Sequence, residues 1–244
     1  MPSIFGIHAA PEDPSRKDSP IVCAICRETP PTFDRTIACG GYETGLRDLI
    51  HLLKFHQVRP AARFLGSMLA EQINAAEPSM PTGTIAVVPV PLHKRKQAAR
   101  GFNQSEEIVR AALKSVSRPE RFELETGNLL RTRDTGSQIG LTRDQRRDNL
   151  RGAFAIKDRA AISGKHVLLV DDVYTTGTTA SECARVLRKA GAASVWVAVI
   201  ARTQRVPDFI FMAGEFAGRN TSADPSLPQI SKEKESSRKV AVQG

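Results

Sequence analysis

One segment of the chain constrains the fold more than any other. His166 to Val170 is apolar after its first residue and rich in residues typical of strands, so it predicts a buried strand. Two adjacent carboxylates, Asp171 and Asp172, follow it, and then a loop of mostly small and hydroxyl residues. The sequence next predicts a helix from about Thr178 to Ala190, stopped by Gly191, and another strand from Ser194 to Ile200. The order strand, helix, strand predicts a parallel crossover and therefore an α/β fold.

The same segment carries the groups that a phosphorylated sugar requires. In open α/β sheets ligands bind at the carboxyl ends of the strands, where the two aspartates are expected. The start of a helix favours a phosphate through its N–H groups and dipole, Gly177 permits a close backbone approach, and four threonines add hydroxyl donors: Thr175, Thr176, Thr178 and Thr179. Carboxylates accept hydrogen bonds from sugar hydroxyls, directly or through Mg²⁺. An ordinary strand-to-helix turn with a threonine cap would explain one or two threonines, but not the whole set.

The loop from Val170 to Thr179 is similar to the phosphoribosyl pyrophosphate (PRPP) signature of type I phosphoribosyltransferases. Two further stretches resemble the ComF (competence protein F-like) branch of these enzymes, and the resemblance covers about Cys23 to Thr203. They are Val87 to Arg95 with Arg100-Gly101-Phe102-Asn103-Gln104, and Arg131-Thr132-Arg133 through Thr135, Gln138, Gly140-Leu141, Arg146-Arg147 and Asn149 to Gly152-Ala153-Phe154. The resemblance implies a mostly parallel twisted sheet with helices on both faces, a small N-terminal hood at roughly residues 40–75, and a remnant zinc ribbon.

The resemblance also implies roles for particular residues. Asp171 and Asp172 would be the catalytic pair that meets the ribose hydroxyls, with Mg²⁺ accompanying PRPP. The pyrophosphate would meet the basic loop after the strand Ile85 to Val90 and arginines of the segment Arg131 to Arg151, and the loop Thr175 to Thr179 would surround the sugar phosphate. The PRPP-binding set is Val173, Tyr174, Thr175, Thr176, Gly177, Thr178, Thr179, His93, Lys94, Arg95, Arg100, Arg131 and Arg133.

The expected activity is transfer of the phosphoribosyl group to a nitrogen acceptor that the sequence does not identify. ComF proteins are linked to uptake of transforming DNA and to a helicase partner. An alternative therefore stays open, namely a non-catalytic PRPP-sensing or DNA-uptake accessory protein that binds single-stranded DNA or a helicase. The net charge of +9 is compatible with an anionic partner, but aromatic residues make up only 5% of the chain and supply few stacking platforms.

The two basic clusters allow more than one interpretation. His93 to Arg100 contains four cations and no acid, as expected for a pyrophosphate site or for a solvated turn. Arg131 to Arg151 is rich in arginine and lacks apolar periodicity. It resembles the flexible loop that closes over the site in this superfamily, although an exposed linker of alternating charge would have the same composition.

The cysteines predict at most an incomplete zinc site. Cys23 and Cys26 form a CxxC pair, but the second pair of a zinc ribbon is missing, and Cys39 falls where the resemblance places a strand. Cys183 falls inside the predicted helix after the loop, as expected for a small core residue.

The expected domain organisation has four parts. Residues 1–20 are predicted to be disordered, 21–40 to be a degenerate zinc-ribbon-like segment, 41–205 to be the phosphoribosyltransferase domain, and 206–244 to be a disordered tail. The start of the chain has no basic stretch leading into an apolar one, and no apolar run is long enough to span a bilayer, so we expect a cytoplasmic protein.

Local patterns predict further elements. Helices are expected at Glu43 to His56, at Arg59 to Ala76 and at Asn103 to Val116, with Asn103 as the N-cap of the third. Ile85 to Val90 is expected to be a buried strand. The buried stripe of the second helix is predicted to comprise Phe64, Leu65, Met68, Leu69 and Ile73.

Overall fold

The computed structural model describes residues 24–135, 140 and 142–203. Its strands are β1 (Arg35–Gly41), β2 (Ile85–Pro89), β3 (Phe122–Leu124), β4 (Leu129–Arg131), β5 (Phe154–Ile156), β6 (His166–Tyr174) and β7 (Ser194–Arg202). Its helices are α1 (Ala24–Glu28), α2 (Thr44–His56), α3 (Pro60–Ala76), α4 (Lys94–Arg100), α5 (Gln104–Ala112), α6 (Arg143–Leu150) and α7 (Thr178–Lys189), with short 3-10 turns at Glu77–Ser79 and Pro119–Arg121.

Five of these strands form a parallel sheet in the order β1-β7-β6-β2-β3. β6 lies at its centre, between β7 and β2, so the strand that ends in the paired aspartates is supported on both sides. β4 and β5 form a separate antiparallel pair in which Arg131 is opposite Phe154. The mostly parallel sheet predicted from the sequence is confirmed.

Helices cover both faces of the sheet. Successive strand residues point alternately to the two faces, so each face has its own hydrophobic core. On one face Leu168, Val170 and Ala198 pack in a core with residues of α3 and α5. On the other, Val167, Leu169 and Val197 pack in a core that includes the inner residues of α7. This arrangement leaves the carboxyl ends of the strands free of helix and places them at one edge of the sheet.

The contact between α3 and α5 is close because one residue has no side chain. A Cβ atom on Gly66 would lie 2.5 Å from the Cβ of Ala111 and 2.9 Å from the backbone N of Ala112. The buried stripe of α3 consists largely of small residues and leucines, namely Ala61, Ala62, Leu65, Gly66, Leu69, Ala70 and Ile73. The prediction that Phe64 belongs to this stripe was wrong, since its side chain is 57% exposed.

Two basic segments form helices where turns or loops were expected. His93 to Arg100 was predicted as a turn, but Lys94–Arg100 is helix α4, with His93 as its N-cap. Arg131 to Arg151 was expected to be a flexible loop or an exposed linker, but it begins with the last residue of β4 and contains α6. The Thr142 and Gln145 side chains begin α6 with reciprocal hydrogen bonds to backbone N–H groups, so local capping compensates for the missing apolar periodicity.

Other expectations are met or lie outside the described residues. Asn103 caps α5 as predicted, by accepting a hydrogen bond from the Ser105 N–H. Ala24–Glu28 is a short helix within a segment expected to contain only turns. Residues 1–20, 206–244 and Cys23, together with the predictions made for them, lie outside the described residues. Within the described ranges, no helix has the length and apolar character that a membrane span requires.

Candidate functional site

The centre of the site is the carboxyl end of β6. The strand continues through Asp171 and Asp172, and Asp172 is only 4% exposed. The Asp171 carboxylate accepts hydrogen bonds from the backbone N–H of Asp172 at 2.9 Å and from the Ser105 hydroxyl at 3.4 Å. Burial, followed by the neighbouring charge of Asp172, raises the pKa of Asp171 from its ordinary 3.8 to about 7, while the Lys54 ammonium and these hydrogen bonds act in the opposite direction. The site therefore holds one carboxyl that titrates near neutral pH.

Lys54, from the last turn of α2, reaches into the site from the hood side. Its Nζ lies 2.7 Å from Oδ2 of Asp172, and the two side chains are 19% and 6% exposed. The two groups are close, but Oδ2 has no well-directed hydrogen bond from any of the described residues, so the ammonium is poorly aligned with it. The contact is therefore an ion pair between α2 and the central strand β6.

The loop after β6 turns into α7 without a side-chain cap. Gly177 occupies the N-cap position with φ of 74°, in the left-handed region, and no side chain accepts a hydrogen bond from the first turn. The hydroxyls of Thr176 and Thr178 are 2.8 Å apart. A side chain at position 177 would also collide with the phenol of Tyr174. Gly177 is thus required for the backbone conformation and for the packing of Tyr174, and the helix start stays available to a ligand.

These elements surround one cavity of about 310 Å³. It is lined by Lys54, Val90, Pro91, Leu92, Gln104, Arg131, Arg146, Asp171, Asp172, Val173, Thr175 and Thr179. A much smaller cavity of about 20 Å³ shares four of these residues and is lined as well by Tyr174, Gly177 and Thr178. Thr176 lines neither, but its hydroxyl contacts Thr178. The structure therefore brings the whole predicted sugar-phosphate segment to one place.

Two arginines supply positive charge opposite the aspartates. Arg131, at the end of β4, donates a hydrogen bond to the Thr135 hydroxyl and lies over the Phe154 ring at 5.6 Å. Its Nε is buried without a hydrogen-bond partner among the described residues, and burial lowers the pKa of its guanidinium. Arg146, on α6, donates to the Thr175 hydroxyl at 2.9 Å. Guanidinium groups held in this way suit phosphate oxygens.

Several predicted pyrophosphate residues are not part of the cavity lining. His93, Lys94, Arg95 and Arg100 belong to the α4 segment, and none of them is part of the cavity lining. Arg95 is 86% exposed and approaches Asp134 at 3.8 Å. Arg100 is nearest, because it donates to Gln104, which does line the cavity.

Arg133 is also outside the lining, since it donates to the Asn149 carbonyl at 2.7 Å. Of the predicted pyrophosphate residues, Arg131 lines the cavity, beside Arg146 and the residues Val90–Leu92 that follow β2, and pyrophosphate binding by the others stays a prediction.

The sequence interpretation missed three polar residues of the cavity: Lys54, Gln104 and Arg146. A signal existed for Lys54, because it lies four residues after the buried Ile50, at the edge of the apolar stripe of α2. Gln104 directly follows the N-cap Asn103, at the first position of α5. Arg146 had no distinguishing mark among the six arginines of its segment.

The cysteines have different surroundings. Cys26 is partly exposed and Cys183 is fully buried, as expected for a core residue. Cys39 lies on β1, where burial and the nearby Glu71 raise the pKa of its thiol to about 12. Within the described part of the chain, no group of three or more histidine, cysteine or acidic side chains is arranged to hold a metal. Cys23 is not described, so zinc binding by Cys23 and Cys26 stays a prediction.

Comparison with known proteins places the chain in a family. A family model described as phosphoribosyl transferase domain matches residues 121–208. The DNA utilization protein YhgH of Escherichia coli K12 is 34% identical over 186 residues, which cover 76% of this chain and 79% of that protein. Competence protein F of Haemophilus influenzae is 30% identical over 185 residues, which cover 74% and 78%.

Solved structures include the hypoxanthine phosphoribosyl transferase of Trypanosoma cruzi, at 18% identity over 61% of this chain and 70% of that one, with a TM-score of 0.37. A score at this level is too low to support an inference. The family match and the parallel sheet agree with the type I phosphoribosyltransferase fold. On the similarity to YhgH and competence protein F over most of each chain, the chain belongs to the ComF family of phosphoribosyltransferase-type proteins.

Proposed function

We propose that the cavity binds PRPP together with Mg²⁺ and that the chain transfers the phosphoribosyl group to a nitrogen acceptor. The observation that supports this most directly is that the Asp171–Asp172 pair lines one 310 Å³ cavity together with Thr175 and Thr179, which flank the uncapped start of α7. In this proposal the backbone N–H groups and threonine hydroxyls of residues 175–179 hold the 5-phosphate. Asp171 and Asp172 accept hydrogen bonds from the ribose hydroxyls.

The pyrophosphate group would lie on the opposite side of the cavity, near Arg131 and Arg146. The buried Nε of Arg131 has no described hydrogen-bond partner, so a phosphate oxygen would satisfy it. Mg²⁺ is usually held by one or two carboxylates together with substrate phosphates and water, and the aspartate pair meets that requirement. When bound, the ion would neutralise negative charge on the leaving pyrophosphate.

Transfer would break the bond between the anomeric carbon and pyrophosphate and form a bond from that carbon to the acceptor nitrogen. Pyrophosphate leaves with the electron pair, and the acceptor nitrogen loses a proton. The residues of the cavity would contribute mainly by orienting the ribose and by stabilising charge. One carboxylate of the Asp171–Asp172 pair would assist by taking the acceptor's proton.

Calorimetric titration with PRPP, with and without Mg²⁺, tests the binding step. We expect Mg²⁺-dependent binding that is lost when Asp171→Asn and Asp172→Asn are combined. Asp48→Asn is the matched control, because Asp48 is an exposed aspartate of α2 that pairs only with the neighbouring Arg47 among described contacts. Absence of PRPP binding to the natural chain under both conditions contradicts the proposal.

The transfer step needs a separate measurement. Release of pyrophosphate from PRPP in the presence of a panel of nitrogen bases distinguishes an enzyme from a sensor. A transferase releases pyrophosphate with at least one base and stops when Asp171 is replaced by Asn. Tight PRPP binding without release on any base supports the non-catalytic alternative.

A second candidate function, binding of single-stranded DNA, is favoured by one surface feature. Phe55 at the end of α2 is 64% exposed, and the Arg100 guanidinium lies 5.8 Å from the centre of its ring. The chain contains no acidic residue from Leu49 to Ala70 or from Ile85 to Ser105, so the C-terminal half of α2, most of α3 and all of α4 carry no carboxylate. Exposed aromatic rings beside arginines bind single strands by stacking and charge.

Fluorescence anisotropy with a labelled oligothymidine tests this second candidate. We expect Phe55→Ala to weaken binding by about tenfold, since one stacked base contributes about 1–3 kcal/mol. Leu130→Ala, which removes an exposed apolar side chain from β4, is the control and should have no effect. If binding is unchanged in Phe55→Ala and in Arg100→Gln, DNA does not bind at this surface.

A further inference from the structure

Lys54 differs from the other polar residues of its helical turn. His51, Leu52, Phe55 and His56 are exposed, whereas Lys54 points into the cavity and is 19% exposed. Long cationic side chains are rarely placed in such a position without an anionic partner. In the ligand-free protein that partner is Asp172.

The partner oxygen is the one that a ligand would use. Asp172 is nearly buried, and its Oδ2 faces the Lys54 ammonium at 2.7 Å without a well-aligned hydrogen bond. Oδ1 of Asp171 is more constrained, since it already accepts from the Asp172 N–H and the Ser105 hydroxyl. A ribose hydroxyl or a metal ion that binds Asp172 therefore competes with Lys54 for the same carboxylate.

A displaced Lys54 would need another anion. A charged group that loses its partner at a partly buried position carries a large desolvation penalty. Lys54 and both arginines line one cavity, so a polyanion that occupies it comes within reach of all three. A sugar phosphate without pyrophosphate would displace the lysine from Asp172 without supplying another anion for its ammonium.

We propose that Lys54 determines the preference of this site for PRPP over ribose 5-phosphate, by exchanging Asp172 for the pyrophosphate group when the ligand binds. This inference rests on the proposed PRPP function. It makes α2 part of the ligand-binding site. It predicts that loss of the ammonium weakens binding of the pyrophosphate group but does not weaken binding of the ribose 5-phosphate part.

Calorimetry with three probes tests the exchange: PRPP, inorganic pyrophosphate and ribose 5-phosphate, each in the presence of Mg²⁺. In Lys54→Met we expect PRPP and pyrophosphate to bind about tenfold or more weakly, the loss typical of one charge-assisted hydrogen bond. Ribose 5-phosphate should bind equally well or more tightly, because Asp172 no longer has a competing partner. Lys54→Arg should keep the preference for PRPP to within a few-fold.

Lys165→Met is the matched control. Lys165 also pairs with a carboxylate, that of Glu123 at 3.4 Å, but it precedes the first residue of β6, at the opposite end of the strand from the site. All three affinities should be unchanged in this variant. Lys54→Gln repeats the charge removal with a polar side chain, so that the test stands if the methionine variant does not fold.

Each outcome decides between the two proposals. If the natural chain binds PRPP but neither neutral variant changes the ratio of PRPP to ribose 5-phosphate affinity, the Lys54 inference is wrong and the PRPP proposal stands. An equal loss of affinity for all three probes also contradicts the exchange, because it points to a purely structural ion pair. If the natural chain binds no PRPP, both proposals fail.

Discussion

Replacing Asp171 by asparagine should make the ligand-free protein more stable while it weakens PRPP binding. Asparagine is nearly isosteric, and its carbonyl oxygen can accept the same hydrogen bonds from the Asp172 N–H and the Ser105 hydroxyl. It removes only the negative charge that burial and Asp172 make unfavourable. Lys54 remains paired with Asp172 in the variant.

The size of the effect follows from the pKa of Asp171. The folded-state pKa of about 7 is above the ordinary value of 3.8, so between these values the folded protein keeps a proton that the unfolded chain has released. The corresponding stability is complete below about pH 4 and is lost as the pH rises to about 7. At about 1.4 kcal/mol per pH unit, the cost of the charged carboxyl reaches about 4 kcal/mol at pH 8 and less than half of that at pH 5.

Urea unfolding of the natural chain and Asp171→Asn at pH 5 and pH 8 measures this cost. We expect the variant to be more stable at pH 8 by at least about 2 kcal/mol, with a clearly smaller gain at pH 5. Asp48→Asn, at an exposed position, should change stability by less than about 0.5 kcal/mol at either pH. A variant that is no more stable at pH 8, or whose gain is the same at both pH values, would refute the reasoning.

Three other substitutions test the packing and the loop. Gly66→Ala should destabilise the fold by about 1–3 kcal/mol in urea unfolding because its Cβ would meet Ala111, whereas Gly45→Ala, with nothing within 4 Å, should not destabilise it. Gly177→Ala should weaken PRPP binding about tenfold, since it strains the left-handed start of α7. An unchanged PRPP affinity in calorimetry would contradict this. Asn103→Ala should cost about 1–2 kcal/mol of unfolding free energy through its lost bonds to Ser105 and Val90, and Asn103→Asp, which keeps the cap, should cost less.

The parts of the fold that were predictable are those whose signal is local. The apolar run before Asp171 and the amphipathic α7 follow directly from residue pattern, and both were located correctly. Residue pattern alone did not locate β1, because Arg35–Gly41 has mixed character and ends in two glycines; only the family resemblance placed a strand at Cys39. α4 and α6 were missed because they bury little apolar surface and depend on their N-caps instead. Periodicity cannot detect such helices.

In the site, too, the residues that could be predicted are those whose signal is local in sequence. The acid pair and the loop are consecutive in sequence, so their proximity needed no knowledge of the fold. Lys54 reaches Asp172 from a different element, and Arg131 and Arg146 reach the cavity from β4 and α6. Which member of a basic cluster enters a cavity depends on helix orientation and strand register, and neither can be obtained from residue spacing alone. The α4 cations lie outside the cavity lining for that reason, and their role in pyrophosphate binding stays a prediction.

The order of strands also has a consequence for synthesis of the protein. β1, the first strand of the described chain, has β7, the last, as its neighbour in the sheet, with Arg35 opposite Trp196. While the chain is still being translated, β1 therefore has no strand to pair with until β7 has left the ribosome. β2 and β6 can pair earlier. Until then, the N-terminal strand is exposed to chaperones or to other chains. A stop codon before Ser194 would leave β1 unpaired and the aspartate-bearing β6 paired on one side only, with β2.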